Sequence, residues 1–220
     1  MKYYLYLSKS KVEMLASQIP DSAFRGISAE FKANLGVLST TVKTADASLP
    51  DDVYAKSEAV AKYLSKRGDV GTLTEPKAYI AGTLPMRWGT LWDYASDLLF
   101  FSGESNGRLL ALIGASASAI GEPPRIESRH SIEYYTLKFL NTILGPKVVL
   151  DATASDKLPS QYPRDYSHYM QAVGSATSQL PPEGQAVEFL ARVLFIDQDA
   201  TPALVVATPL FVALATDEHA

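Results

Sequence analysis

Two apolar segments, residues 98–102 and 109–113, are separated by a short polar stretch that contains Asn106-Gly107. A type I′ turn needs positive φ at both central residues, and Asn-Gly is a dipeptide that readily provides them. Two strands joined by so short a turn pair antiparallel. The pattern therefore predicts a β-hairpin in the middle of the chain.

Further elements follow from the spacing of apolar residues. Residues 187–196 and 203–215 surround a short polar stretch and predict a second hairpin, whereas residues 51–67 have the periodicity of an amphipathic helix. Residues 79–91 predict a strand that is interrupted at Pro85, because proline lacks the N–H that a strand ladder uses. Since the strands come in antiparallel pairs rather than alternating with helices, we expect an α+β fold with a mainly antiparallel, hairpin-rich sheet and several packing helices.

Two further regions give weaker structural signals. The opening residues 3–7 are rich in aromatic side chains and predict a buried strand. Ser10 and Glu13 have the spacing of a capping box, which predicts a helix start there. Residues 151–184 are rich in Ser, Pro, Gly and Asp and predict a loop-rich insertion, either one long loop or a loop with one short helix around residues 166–173.

The composition excludes several classes of protein. The chain has 220 residues, of which 47% are apolar; with about 150 residues in a typical domain, we expect one domain that spans residues 1–220. The net charge of -4 argues against nucleic acid as the main partner. The absence of cysteine excludes a disulfide framework, a thiolate nucleophile and a cysteine-based metal site.

The sequence contains no segment with the features of a signal peptide or a membrane span. The N-terminal apolar run, residues 3–7, is shorter than the roughly 7–15 residues of a secretory core. The best candidates for a span, residues 109–121 and 203–215, are shorter than the about 20 residues that a membrane helix needs. We expect a soluble, cytoplasmic protein that does not associate with membranes.

Three blocks along the chain point to a known group of proteins. They are Tyr3-Tyr4-Leu5-Tyr6 with Lys11-Val12-x-Met14-Leu15, then Gly82-x-Leu84-Pro85-Met86-Arg87-Trp88-Gly89, and finally Thr208-Pro209-Leu210-Phe211-Val212-Ala213-Leu214. In these blocks the chain resembles a family of uncharacterised actinobacterial proteins. The resemblance covers most of the chain, with residues 151–184 as the poorest match. It implies a single domain with a recurrent fold, and it implies no particular activity.

Arg87 and Trp88 are the first candidates for a binding site. They follow Pro85 in the strand with the predicted interruption, where the pair can line a pocket. Arginine offers a planar fork of donors for a carboxylate or a phosphate, and tryptophan offers a flat face for stacking. The alternative interpretation is an arginine in an internal ion pair beside a tryptophan that packs in the core.

The small residues at positions 114–118, Gly-Ala-Ser-Ala-Ser, follow a predicted strand and partly match the nucleophile elbow Gly-x-Ser-x-Gly. The match is incomplete because position 118 is serine. If the chain is a hydrolase, Ser116 is the candidate nucleophile and His130 or His168 the candidate base. The alternatives are a cradle of backbone N–H groups for a phosphate, and the close packing of small residues where a strand meets a helix.

Two more polar clusters are candidates. Glu127, His130 and Glu133 are spaced by three residues and can share one helix face, as an acid–base pair needs; the alternative is a solvated helix start. No metal site is expected, because the cluster has no second histidine at ligand spacing. Tyr166 and His168 belong to a segment rich in Tyr, Arg and His, which predicts either a binding loop or a loop pinned by its own aromatic side chains.

Three functions stay open at this point. We expect first a small-molecule-binding or sensor module, whose candidate ligand-binding residues are Arg87, Trp88, Ser116, Tyr166 and His168. The second function is a protein–protein adaptor, and the third is a small hydrolase or cyclase whose candidate residues are Ser116, His130, Glu133 and His168. No cofactor is expected, because the sequence has no Gly-x-Gly-x-x-Gly, Walker or kinase signature. Homo-oligomerisation is compatible with each function.

Overall fold

The computed structural model describes residues 2–20, 23, 52–91, 95–121 and 167–215, and it describes residues 91, 95–97, 167 and 168 by their backbone alone. The hairpin predicted around Asn106-Gly107 is confirmed. Strand β4, Ala95–Ser105, pairs antiparallel with strand β5, Arg108–Ala115. Asn106 has a φ of 52° and Gly107 a φ of 69°, the positive values that a type I′ turn requires.

Five further strands and three helices make up most of the rest of the described chain. The strands are β1 Tyr3–Leu7, β2 Val70–Gly71, β3 Tyr79–Leu91, β6 Gln185–Asp197 and β7 Ala203–Leu214. The helices are α1 Lys9–Ala16, α2 Val53–Lys66 and α3 Ser167–Ser178, with one turn of 3₁₀ helix at Ser116–Ser118. None of these three described helices has the length and apolar character that a membrane span requires.

Within the described residues, seven strands form one mostly antiparallel sheet that closes into a small barrel. Strand β4 pairs with β3 and β5, β5 pairs with β7, β7 pairs with β6, and β6 pairs with β3, which completes the circle. Strand β1 pairs with the second half of β7, and β2 pairs with the start of β3. The β5–β7 and β2–β3 pairs are parallel. The predicted α+β class is confirmed.

The strand predictions are correct except for one detail. Strands β6 and β7 form the second predicted hairpin, with Val187 opposite Leu214 and Asp197 opposite Leu204. Strand β3 runs through Pro85, so the predicted interruption is wrong. The ladder between β3 and β4 begins only at Arg87, so the missing N–H at position 85 removes no bond from that pair.

Helix α2 agrees with the amphipathic segment predicted over residues 51–67. Its N-cap is Asp52, whose Oδ2 accepts the N–H of Ala55 at 3.1 Å. Helix α3 confirms the short helix predicted around residues 166–173 but extends beyond it, whereas the predicted loop-rich character of residues 151–184 stays a prediction. Residues 151–166 lie outside the described residues.

The capping box predicted at Ser10 and Glu13 is wrong. Helix α1 begins at Lys9, its N-cap is Ser8, and no side chain caps it. The N–H of Ser8 instead donates to the carbonyl of Leu210 at 2.8 Å. The start of this helix is therefore fixed by a contact with β7, almost the whole chain away, which no local pattern could reveal.

Apolar side chains fill the inside of the barrel and cover two parts of its outer surface. The inner cluster includes Met86, Phe101, Leu112 and Val205. Outside, α3 packs Val173 and Ala176 on Phe100 and Ile113, whereas α1 and α2 pack Val12 and Val60 on Leu190 and Leu210. Strands β5 and β7 are covered on both faces, which explains why they are nearly continuous apolar runs.

Candidate functional site

A cleft of about 450 Å³ lies on the outer face of the barrel, beside the C-terminal half of α3. Strands β3, β4 and β5 form its floor, α3 forms one wall, and the segments before β6 and β7 form the other. Clefts that hold small molecules in proteins have volumes of roughly 300–1,000 Å³. The cleft is therefore large enough for a small metabolite.

The register of β3 and β4 places three polar side chains on the floor of the cleft. Arg87 lies directly opposite Ser102, and Glu104 lies two residues further along β4. Successive side chains of a strand point to opposite faces, so Phe101 points into the barrel while Ser102 and Glu104 point outward. Arg87 and Glu104 are thus diagonal neighbours on the sheet, roughly 7 Å apart.

Helix α3 is held against this floor by a hydrogen bond and leaves space above it. The hydroxyl of Thr177 donates to Ser102 Oγ at 2.9 Å. Gly174, one turn earlier, lines the cleft, and a Cβ added there would meet no heavy atom within 4 Å. At the opposite rim Gly184 lies so close to β3 that a Cβ would be 3.1 Å from the carbonyl oxygen of Met86. Gly174 therefore leaves space in the cleft, and Gly184 allows the chain to pass close to β3 at the other rim.

The cleft contains one cation and one carboxylate that are not paired with each other. Arg87 is partly buried, and within the described part of the chain it makes no hydrogen bond or ion pair. A guanidinium carries five N–H donors arranged to fit a carboxylate or a phosphate. Glu104 is exposed, and Pro85, Pro182 and Pro202 provide apolar walls. The arrangement offers a fork of donors, a negatively charged acceptor and rigid apolar contact.

Trp88 does not share the cleft with Arg87. The two residues are adjacent in β3, so their side chains lie on opposite faces of the strand. Trp88 packs against the inner cluster of the barrel and stacks on Phe101, with ring centroids 6.3 Å apart and an interplanar angle of 28°. The expected pocket with both side chains converging is not formed in this structure.

Ser116 also lies away from the cleft. It is buried in the 3₁₀ turn at the end of β5, whereas the cleft contacts Leu109 near the start of that strand. Seven residues of strand separate the two positions by about 23 Å. A Cβ on Gly114 would lie 2.7 Å from the ring of Tyr6, which favours the interpretation of this segment as close packing of small residues. A binding role for Ser116 stays a prediction.

The other candidates give no site geometry. Tyr166, Glu127, His130 and Glu133 lie outside the described residues, and His168 is described by its backbone alone, in the first turn of α3. Their predicted roles therefore stay predictions. Among the residues that the structure describes, no group of three or more His, Asp or Glu side chains could hold a metal ion.

Sequence reasoning missed three polar residues of the cleft, Ser102, Glu104 and Thr177. Ser102 and Glu104 could have been found, because the predicted hairpin and the apolar Phe101 fix which side chains point outward from β4. Thr177 gave no signal, since the helix around it was predicted to end at residue 173. The long-range contact between α3 and β4 brings Thr177 to the site.

The fold and the cleft define an α+β protein with a closed, mainly antiparallel sheet and a ligand-sized cleft on its outer face. The chain belongs to the family of unknown function DUF7019, whose family model matches residues 2–216. This confirms the resemblance to an uncharacterised family, and it covers nearly the whole chain. The actinobacterial origin of that family stays a prediction. No curated protein and no solved structure matches the chain.

Proposed function

We propose that this protein binds a small anionic molecule in the cleft and acts as a binding or sensor module. The observation that carries the proposal is Arg87, a partly buried residue that lines the cleft without a hydrogen bond or ion pair among the described residues. Its N–H donors are therefore unused by the described residues, and a bound carboxylate or phosphate would accept charge-assisted hydrogen bonds from them.

The neighbouring side chain narrows the chemistry of the ligand. Glu104 lies on the same floor, a diagonal neighbour of Arg87, and a carboxylate accepts hydrogen bonds from ammonium or amide N–H groups. A molecule with an anionic group at one end and an N–H donor at the other would satisfy both side chains. Small zwitterions of amino-acid or dipeptide size fit this description and the volume of about 450 Å³.

The proposal is tested by ligand-induced thermal stabilisation, followed by calorimetric titration. The panel contains amino acids, dipeptides, simple carboxylates and phosphate monoesters, each with its neutral amide or ester analogue. We expect an anionic member to raise the melting temperature and its neutral analogue to have no effect, because binding to the folded state alone stabilises it.

Two variants separate binding at the cleft from general charge effects. Arg87→Gln removes the proposed anchor and should weaken binding by about tenfold or more, since charge-assisted bidentate pairs are the strong ones. Arg67→Gln is the matched control, because Arg67 is exposed at the end of α2 and pairs only with groups there. Equal affinity of the two variants for the ligand would refute the role of Arg87, and a panel without any response would count against the proposed function.

The other functions stay predictions. The enzyme hypothesis depends on His130 and Glu133, which lie outside the described residues, and on the side chain of His168. The adaptor hypothesis, homo-oligomerisation and a cytoplasmic location likewise await experiments on the protein in solution and in cells.

A further inference from the structure

A second group of polar residues lies where α1 crosses β7. The register of β6 and β7 shifts from Leu190 opposite Phe211 to Ala191 opposite Pro209, so Leu210 forms a bulge. Nearby, the ammonium of Lys11 donates to the carbonyl oxygen of Pro209 at 3.1 Å and to the hydroxyl of Thr208. These two bonds use two of the three N–H donors of Lys11.

A second cation lies beside Lys11. Arg192 is directly opposite Thr208 in the ladder between β6 and β7, and its side chain is exposed. Within the described residues neither Lys11 nor Arg192 forms an ion pair with a carboxylate. Burial and the positive charge of Arg192 lower the pKa of Lys11 to about 8. Two cations thus lie close together with no negative charge to compensate them among these residues.

We propose that Lys11 and Arg192 form a second binding site, for a small oxyanion of the phosphate type. The free N–H of Lys11 and the donors of Arg192 supply the hydrogen bonds, and two positive charges match the charge of about −1.5 to −2 on a phosphate monoester. If Lys11 served only to donate a hydrogen bond to the carbonyl oxygen of Pro209 beside the bulge, a second cation next to it would not be needed. The proposal therefore depends on the pair of cations and not on the lysine alone.

This site is separate from the cleft of the proposed function. Arg192 and Gln185 are seven residues apart in β6, a distance of about 23 Å along the strand. Gln185 lies opposite Met86, next to Arg87. An anion at Arg192 therefore cannot touch Arg87, and each site can be present without the other.

The test follows the ammonium of Lys11 by lysine side-chain NMR during pH titrations. One titration contains inorganic phosphate at about 20 mM, and the other contains sodium chloride at the same ionic strength, which screens surface charges equally. We expect phosphate to raise the pKa of Lys11 by about one unit relative to chloride, because binding and protonation are linked reciprocally.

Variants on the two elements show which residues hold the phosphate. Arg192→Gln should weaken phosphate binding by about tenfold, since half of the paired charge is lost, and so reduce the rise in the Lys11 pKa from about one unit to a few tenths of a unit. Two control variants should leave the phosphate affinity and the phosphate-induced rise in the Lys11 pKa unchanged. They are Lys9→Gln, which replaces an exposed lysine on the same helix, and Arg87→Gln in the cleft. Because Arg192 is exposed, its replacement is expected to preserve the fold.

Four outcomes would overturn the proposal. The first is a Lys11 pKa that is the same in phosphate and in chloride. The second is a phosphate-induced pKa rise that is undiminished in Arg192→Gln, and the third is a rise that disappears in Arg87→Gln, which would place the anion in the cleft. A dissociation constant above about 50 mM would also overturn it, because so weak an affinity, less than about 2 kcal/mol, is typical of nonspecific ion association.

Discussion

The cleft wall formed by α3 allows a test in which stability and binding respond differently to the same position. Gly174 lies in the interior of α3, lines the cleft, and has no heavy atom within 4 Å of an added Cβ. In a helix interior, alanine is about 0.8–1.0 kcal/mol more favourable than glycine. Since nothing opposes the new methyl group, Gly174→Ala should stabilise the protein by nearly this amount. For a chain of this size, that corresponds to a melting temperature higher by about 2–4 °C.

A larger side chain at the same position should preserve the gain in stability but block ligand binding. Gly174→Leu keeps the gain in helix propensity but places a branched side chain in the cleft, so ligand binding should be lost while the protein stays as stable as the alanine variant. Denaturant unfolding gives the stability, and thermal stabilisation by the ligand gives the binding. If Gly174→Ala were destabilising, the space beside α3 would be occupied in solution. If Gly174→Leu bound the ligand normally, the cleft would not be the binding site.

Three further predictions concern the stability of the folded protein. Gly103→Ala should destabilise the protein by about 1–3 kcal/mol in urea unfolding, because its Cβ would lie 2.6 Å from the carbonyl oxygen of Pro85; unchanged stability would refute this close approach. Asp52→Ala should cost about 1 kcal/mol in the same assay, because the N–H of Ala55 loses its cap, whereas Asp52→Asn should cost much less. Lys11 has a pKa of about 8 in the folded chain, against 10.5 for an ordinary lysine such as that of the unfolded chain. Between pH 8 and 10.5 the unfolded chain therefore binds more protons than the folded chain, so the free energy of unfolding should rise with pH across this range. Lys11→Met should remove this rise, and an identical pH profile for both proteins would contradict the lowered pKa.

The parts of the fold that the sequence predicts are those with local causes. The turn at Asn106-Gly107 depends on the backbone preferences of two residues, and the start of α2 depends on the carboxylate of Asp52 three residues before its donor. The hairpin around this turn and the helix within residues 51–67 are both predicted correctly. The start of α1 is set instead by a hydrogen bond between Ser8 and Leu210, and there the local capping pattern predicted the wrong residue.

Closure of the sheet into a barrel could not be predicted from the sequence, because it too depends on contacts between residues that are far apart in the chain. The parallel pairing of β5 with β7 joins residues such as Arg108 and Ala203, which are far apart in the chain. Strands β5 and β7 carry buried apolar side chains on both faces, so their side-chain pattern does not distinguish the inside of the barrel from its outer surface. Only the helices that cover the outer surface resolve this ambiguity, and their positions are themselves long-range features.

The candidate site was predicted in part. The chemistry of its side chain predicts Arg87 as a binding residue, and the structure places it in a cleft. Adjacency in sequence suggests that Trp88 shares the site, yet adjacent residues of a strand point in opposite directions. The useful partner of Arg87 is its diagonal neighbour Glu104, which becomes visible only once the register of β3 and β4 is known.

The architecture limits where a ligand can bind within the described part of the chain. The inside of the barrel is filled by the apolar cluster around Met86, Phe101 and Leu112, as expected for a closed sheet with so few strands. Much of the outer surface is covered by α3 on one side and by α1 and α2 on the other. Polar side chains on the sheet can therefore meet a ligand only where this cover ends, and Arg87 and Arg192 lie at two such places. A change inside the barrel should consequently alter stability and leave binding intact, whereas replacing either arginine should do the reverse.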